Sequence, residues 1–173
     1  MPAPFPHQES ALAPDPAVRW GALPNGARYA IMRSAQPQGR VSLRLRIASG
    51  SLLEDEPQRG LAHMLEHMAF NGSRHYAPGE LIPALQRLGI GFGSQLNAHT
   101  GFDETVYKID LPDAKPETLE IGLNVLADQA GGLLLDAGEV ERERGVVLSE
   151  LRDKDGPGLR LQRRELALLT AGT

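Results

Sequence analysis

The chain has 173 residues, a formal net charge of −4 and no cysteine. This length suits one domain with its own core, and the weak charge, without a basic run carrying aromatic residues, argues against a nucleic-acid partner. The missing cysteines exclude disulfides, thiolate metal sites and thiol nucleophiles, and no stretch approaches the 18 apolar residues that a membrane span needs.

The first 17 residues contain five prolines and no hydrophobic periodicity. They are predicted to be a disordered leader, and they lack the apolar centre of a signal peptide. Residues 18–173 are predicted to form the folded domain. It begins with a hairpin, because Trp20–Leu23 and Ala27–Met32 flank the turn signal Pro24-Asn25-Gly26.

The remaining pattern predicts an α+β domain. Val41–Ile47 alternates apolar and polar residues and is predicted to be a strand with Arg44 and Arg46 facing outward. Phe92–Ala98 and Thr105–Leu111 are predicted to be strands joined by a turn at Gly101. Besides the segment around His63, the predicted helices are Pro78–Leu88, Pro116–Gln129, Ala137–Lys154 and Leu159–Leu169. A nucleotide loop at Gly89–Ser94 is disfavoured, because that glycine run follows a helix and enters a strand.

The segment His63-Met64-Leu65-Glu66-His67 carries the strongest chemical signal. On a helix the two histidines lie about 5.4 Å apart on one face, and Glu66 lies beside the second. Apolar residues fill the other directions, which predicts a buried helix with one polar stripe. The pattern matches the inverted zincin signature H-x-x-E-H. The alternative is a hydrogen-bonded pair of core histidines without a metal.

A catalytic zinc site takes three protein ligands, so a third must come from elsewhere in the chain. It is expected to be a carboxylate, because there is no cysteine and because His7, His75 and His99 lie in segments predicted to be tail or loop.

Glu143 and Glu150, in the helix Ala137–Lys154, are the best candidates for this carboxylate. They lie about 20° apart in helical projection, beside an apolar stripe formed by Val140, Val147, Leu148 and Leu151. In the alternative interpretation, both glutamates lie at a partly exposed boundary and pair with Arg144 or Arg46.

The chain resembles the pitrilysin or insulinase family of metallopeptidases, which includes the mitochondrial processing peptidases. Three motifs occur in the family's order: His63-x-x-Glu66-His67 within Gly60–Ser73, then Asn97-Ala98-His99-Thr100, then Glu143-Arg144-Gly-Val-Val-Leu-Ser-Glu150. The resemblance runs from about Val18 to Arg164. Within the family, the chain looks closest to the large bacterial periplasmic members.

The resemblance implies a mostly antiparallel sheet covered by helices and a complete peptidase site. It implies that His63, His67 and Glu150 bind one Zn²⁺ and that Glu66 is the general base. It also implies that Glu143 supports the site without binding the metal itself. It also implies that a peptide substrate adds to an edge strand. The residues that would bind the substrate main chain there are Asn97 and Ala98.

The resemblance further implies a longer protein. Family members have two or four related domains, so C-terminal domains are expected as partners of this N-terminal one. The isolated chain is then expected to bind zinc but to cleave peptides weakly or not at all. The periplasm is the expected compartment.

Three other functions compete with this one. The first is a catalytically silent zinc-binding subunit, although such members lose ligands and this chain keeps every one. The second is S-ribosylhomocysteine lyase, which the absence of cysteine excludes because that enzyme uses a cysteine as its third ligand. The third is a protein-interaction module in which the motif is accidental, and zinc content would separate it from the others.

Overall fold

In the computed structural model, residues 5, 8–169 and 171 are described, and the chain divides into the units Met1–Gly39 and Arg40–Thr173. The first unit contains the predicted hairpin. Strand β1, Val18–Ala22, pairs antiparallel with β2, Arg28–Met32. Strand β1 begins two residues before the predicted start. Gly26 adopts a φ of +86° in the turn, a conformation that favours glycine.

A three-stranded antiparallel sheet forms the base of the second unit, in the order β3-β5-β4. Its strands are β3, Val41–Ile47, β4, Leu96–Thr100, and β5, Thr105–Leu111. Strands β3 and β5 have the predicted bounds, and Arg44 and Arg46 are exposed as expected. This sheet with its helices confirms the α+β class.

Strand β4 differs from its prediction. It begins at Leu96 rather than Phe92, because residues 93–95 form a turn in which Gly93 has a φ of +87°. Phe92 contributes only an isolated bridge to Leu96. The strand continues to Thr100, so His99 lies in a strand, and its assignment to tail or loop was wrong.

Five helices follow the sequence pattern closely. They are α1, Leu61–Met68, α2, Leu81–Arg87, α3, Pro116–Gly131, α4, Ala137–Lys154, and α5, Pro157–Leu169. Helix α2 starts later than predicted, after a turn in which Gly79 has a φ of +81°. Helix α5 starts earlier, because Pro157 suits the first helical position. No helix in the described ranges combines the length and apolar character that crossing a membrane requires.

The core lies where α2 and α3 meet the sheet. Its fully buried members include Leu85, Ile90, Leu96, Ile109, Leu111 and Val125. Helix α3 packs closely on the sheet at Gly122, where a Cβ atom would lie 2.8 Å from Cδ1 of Leu43. This close packing holds α3 against the sheet.

Two predicted apolar faces are more exposed than expected. Helix α1 was predicted to be a buried helix with one polar stripe, yet Leu61 is 52% exposed and Leu65 is 45% exposed. Leu148 and Leu151 of α4 are also exposed. Among the described elements none covers these faces. Helix α4 instead packs its glutamate side against α1, which positions the site.

Candidate metal centre

The contact between α1 and α4 brings His63, His67 and Glu150 together. The Nε2 atoms of the two histidines lie 3.1 Å apart. The Glu150 carboxylate oxygens lie 3.8 Å from Nε2 of His63 and 3.7 Å from Nε2 of His67. One ligand atom from each residue therefore falls within a sphere of the size that a single metal ion requires.

These distances fit zinc. Metal–ligand bonds of about 2.0–2.1 Å in a tetrahedron place neighbouring ligand atoms about 3.3 Å apart. The 3.1 Å separation of the two Nε2 atoms is close to that value, and the Nε2 atoms of His67 and His63 lie 3.7 Å from Oε1 and 3.8 Å from Oε2 of Glu150, respectively. Two imidazoles and one carboxylate also form a donor set found in catalytic zinc sites, which keep a fourth position open.

Glu143 contacts His67 at the ring nitrogen that faces away from His63 and Glu150. Its Oε1 atom lies 2.7 Å from Nδ1 of His67, and its Oε2 accepts a 2.7 Å hydrogen bond from Nδ2 of Asn71. An ionised carboxylate accepts only, so the proton of neutral His67 belongs on Nδ1. The lone pair of Nε2 then points toward His63 and Glu150, as metal binding requires.

The alternative pairing of the two glutamates with arginine is wrong. The Glu143 side chain is only 15% exposed and contacts His67 and Asn71. Arg144 pairs with Glu141, and Arg46 pairs with Glu104. Asn71 belongs to a motif that the sequence already showed, but its role as a donor to Glu143 became visible only in the structure.

Glu150 has a second partner on its own helix. Lys154, one turn further along α4, donates a 3.1 Å hydrogen bond to Oε2 of Glu150. This hydrogen bond, with the positive charge of Lys154 and the nearby His67 and His63, holds the pKa of Glu150 below its ordinary value. The carboxylate is therefore ionised at neutral pH, the form that binds a cation.

Glu66 lies on the same polar stripe of α1 as the two histidines, but its partner is Thr100. The Thr100 hydroxyl, on β4, donates a 2.5 Å hydrogen bond to Oε2 of Glu66. Burial, with a smaller contribution from the Glu66 charge, raises the pKa of the nearby Tyr107 to about 12, so its phenol stays protonated. Thr100 thus connects the edge strand to the helix that carries the histidines.

The edge strand presents the remaining predicted residues. Strand β4 lies at one edge of the described sheet. Asn97 on this strand is exposed, its Nδ2 donates to the Gly93 carbonyl at 3.1 Å, and its Oδ1 accepts from the Ala98 amide at 2.9 Å. A cleft of about 350 Å³ lies beside the end of β4. Its lining residues are Ser51, His63, Thr100, Gly101, Phe102 and Lys154.

The other described histidines lie outside the cluster. The ring Nδ1 of His75 lies 2.9 Å from Oδ1 of the buried Asp128. His99 Nε2 lies 3.9 Å from Oε1 of Glu104. His7 falls outside the described residues.

Comparison with known proteins agrees with this geometry. Residues 29–163 match the family described as Insulinase (Peptidase family M16). The chain is 38% identical to the "Probable zinc protease PqqL" of Haemophilus influenzae over 159 residues, which is 92% of this chain and 17% of that protein. It is 36% identical to the bovine (Bos taurus) "Mitochondrial-processing peptidase subunit beta" over 80% of this chain and 26% of that protein.

The fold is shared with a solved member. The crystal structure of the first half of the periplasmic protease PqqL from Escherichia coli superposes with a TM-score of 0.89 at 34% identity, covering 95% of this chain and 35% of that one. The chain spans less than a fifth of the length of the PqqL relatives. The matched residues make up most of the chain and include the three predicted ligands. The chain therefore belongs to the insulinase family of zinc peptidases, M16.

Proposed function

We propose that this chain is the zinc-binding part of an endopeptidase that hydrolyses peptide bonds in unfolded polypeptides. The observation that supports this most strongly is the convergence of His63, His67 and Glu150, with Glu66 beside them but bonded to Thr100 instead. Three residues are thus available to hold one Zn²⁺, and a separate carboxylate is available to move protons.

Each residue has a definite chemical role in this proposal. If bound by His63, His67 and Glu150, zinc would supply a Lewis acid and would lower the pKa of water toward 7. Glu66 takes the proton of the attacking water at a carboxylate oxygen and returns it to the leaving amine as the peptide C–N bond breaks. Thr100 holds the other oxygen, and Glu143 keeps the His67 proton on Nδ1.

The substrate is proposed to bind as an extended peptide along β4. An exposed strand edge accepts a peptide through main-chain hydrogen bonds, and β4 lies beside the cleft that contains His63. Asn97 and Ala98 are proposed to contact the substrate main chain. Their present mutual hydrogen bond would be exchanged for bonds to the peptide.

Full activity is proposed to need more protein than this chain. PqqL relatives are more than five times longer than the matched segment, and the metal ligands are only partly buried here. C-terminal domains of the same protein would close the site and exclude water. The periplasm is the proposed compartment, because a similar protease is described as periplasmic.

Zinc content and peptide cleavage together test the proposal. We expect about one zinc per chain, loss of stoichiometric zinc in His67→Ala, and retained zinc without cleavage in Glu66→Gln, because Glu66 is not a ligand. The measurements are metal analysis after purification without added metal and cleavage of a quenched peptide library by the longest form of the protein. Equal zinc in wild type and His67→Ala would refute the site. Zinc without any cleavage by wild type would favour the alternative, a silent zinc-binding subunit.

A further inference from the structure

The first turn of α1 has no capping side chain at its own N-cap position. That residue is Gly60, which has a φ of +91° and no side chain that could accept a hydrogen bond. The first four amides of a helix have no partner within the helix. Helix α1 has only eight residues, and helices shorter than about 12 residues are marginal in water without outside support. Because His63 lies in this first turn, the position of a proposed ligand depends on how the turn is held.

Glu54, in the loop before α1, holds this turn with its carboxylate. Its Oε2 accepts a 2.8 Å hydrogen bond from the Gly60 amide, and its Oε1 accepts a 2.7 Å hydrogen bond from the Ala62 amide. Both oxygens of the half-buried carboxylate are therefore bonded to the start of the helix. Its negative charge also lies at the end of the helix where the helix dipole is positive, which is the favourable arrangement.

The segment that precedes this glutamate is bound to the loop between β4 and β5. The Ser51 amide donates a 3.2 Å hydrogen bond to the Gly101 carbonyl. The Leu52 amide donates a 2.8 Å hydrogen bond to the Phe102 carbonyl. The two segments pack closely, because a Cβ atom on Gly50 would lie 2.5 Å from the Gly101 oxygen. A continuous series of contacts therefore connects the end of the edge strand to the first turn of α1.

We propose that Glu54 is a positioning residue of the metal centre, which holds the first turn of α1 so that His63 is aligned before the metal binds. Without this carboxylate the two amides would lose their partner, and the turn would fray as unsupported helix ends do. Zinc binding would then have to order the turn. The apparent affinity would fall with the fraction of chains in which the turn is ordered. The inference rests on the proposed zinc site, but not on peptide cleavage.

The zinc affinity of the folded chain tests this role. Glu54→Ala removes both acceptor oxygens, so its zinc dissociation constant should rise by about 2–30-fold, the range that loss of a helix cap predicts. Glu54→Gln keeps one acceptor oxygen and should restore part of the affinity. Glu56→Ala, at an exposed position of the same loop, is the control and should bind zinc as wild type does. Competition with a zinc chelator measures all four proteins, under conditions in which circular dichroism shows each to be folded.

Two further measurements separate positioning from a general loss of stability. Val125→Ala leaves a cavity in the core, so it should lower Tm but leave the zinc affinity unchanged. Without zinc, the amides of Gly60 and Ala62 should exchange hydrogen at least about threefold faster in Glu54→Ala than in wild type. Unchanged exchange of these amides or wild-type zinc affinity in Glu54→Ala would overturn the proposal, and so would an equal loss of affinity in Val125→Ala. A wild-type chain that bound no zinc would refute the metal site as well, so the two failures are distinguishable.

Discussion

At the scale of single residues, four chemically important side chains of the candidate centre have a supporting partner. His67 contacts Glu143, Glu143 contacts Asn71, Glu66 contacts Thr100, and Glu150 contacts Lys154. The partners fix orientation and protonation, which a ligand set alone does not do. Substitution of a ligand and of its partner should therefore have different consequences.

The two glutamates of α4 should differ in their effect on zinc affinity. Glu150→Gln removes an anionic ligand and should weaken zinc binding strongly. Glu143→Gln should weaken it by about 10–100-fold, the range typical of groups that orient a ligand. Competitive titration with a zinc chelator measures both, with the exposed Glu141→Gln as a control on the same helix. A greater loss for Glu143→Gln than for Glu150→Gln would reverse the two roles.

Thr100 should affect the rate without affecting the metal. Thr100→Val keeps the shape but removes the hydroxyl that donates to Glu66, so kcat should fall by about 10-fold or more, since hydrogen bonds to charged groups are worth about 1.5–3 kcal/mol. Zinc content and KM should stay the same, and Thr100→Ser should restore most of the rate. A serine variant as slow as the valine variant would show that packing, and not the hydroxyl, is what matters.

At the scale of elements, the position of α4 depends on the loop between α1 and α2 and on the end of α3. Asn71 lies just after α1, and the nearby loop is held to α3 by the buried Asp128. Asp128 accepts hydrogen bonds from the Ser73 hydroxyl at 2.7 Å and from the His75 amide at 2.9 Å. This network connects the core to the residues behind the metal centre.

Asp128 should make stability depend on pH. Burial alone would raise its pKa, but the hydrogen bonds from Ser73 and His75 and the charge of His75 outweigh it, so the pKa of Asp128 is lowered. A lowered folded-state pKa contributes stability that is present above the unfolded-state pKa and is lost as pH falls through the folded-state value.

Asp128→Asn should therefore destabilise the chain by about 1–3 kcal/mol at pH 7, and the difference from wild type should shrink below about pH 4. Denaturant unfolding at several pH values measures this. The exposed Asp153→Asn is the control and should show no comparable loss. A difference for Asp128→Asn that did not change between pH 7 and pH 3 would contradict the role of its charge.

At the scale of the whole molecule, the site is open and several apolar surfaces lack a covering element among the described residues. Leu61 and Leu65 of α1 and Leu148 and Leu151 of α4 are all exposed. These surfaces lie on the two helices that carry the three proposed metal ligands. They are consistent with a site that is completed by further protein.

The 173-residue chain should therefore bind zinc yet cleave peptides far more slowly than a full-length protein. Transition-state contacts from a closing domain would be missing, and each such donor is worth about 10²–10³ in rate. The assay compares the two forms on one quenched peptide library, with full-length Glu66→Gln as the inactive reference. A 173-residue chain as active as the full-length protein would contradict the need for further domains.

The sequence by itself determined the type and order of the elements and the zinc-ligand candidates, because these depend on local periodicity, but it placed the starts of β4 and α2 too early. A spacing of four residues places His63 and His67 on one helical face, and strict alternation defined β3. The motifs also pointed to the correct family. The family resemblance already implied that Glu143 supports the site, but only the tertiary structure showed the contacts, because Glu143–His67 and Thr100–Glu66 join residues 76 and 34 positions apart. The tertiary structure also showed that the apolar faces of α1 and α4 are exposed. Periodicity shows which side chains share a face but not what covers that face.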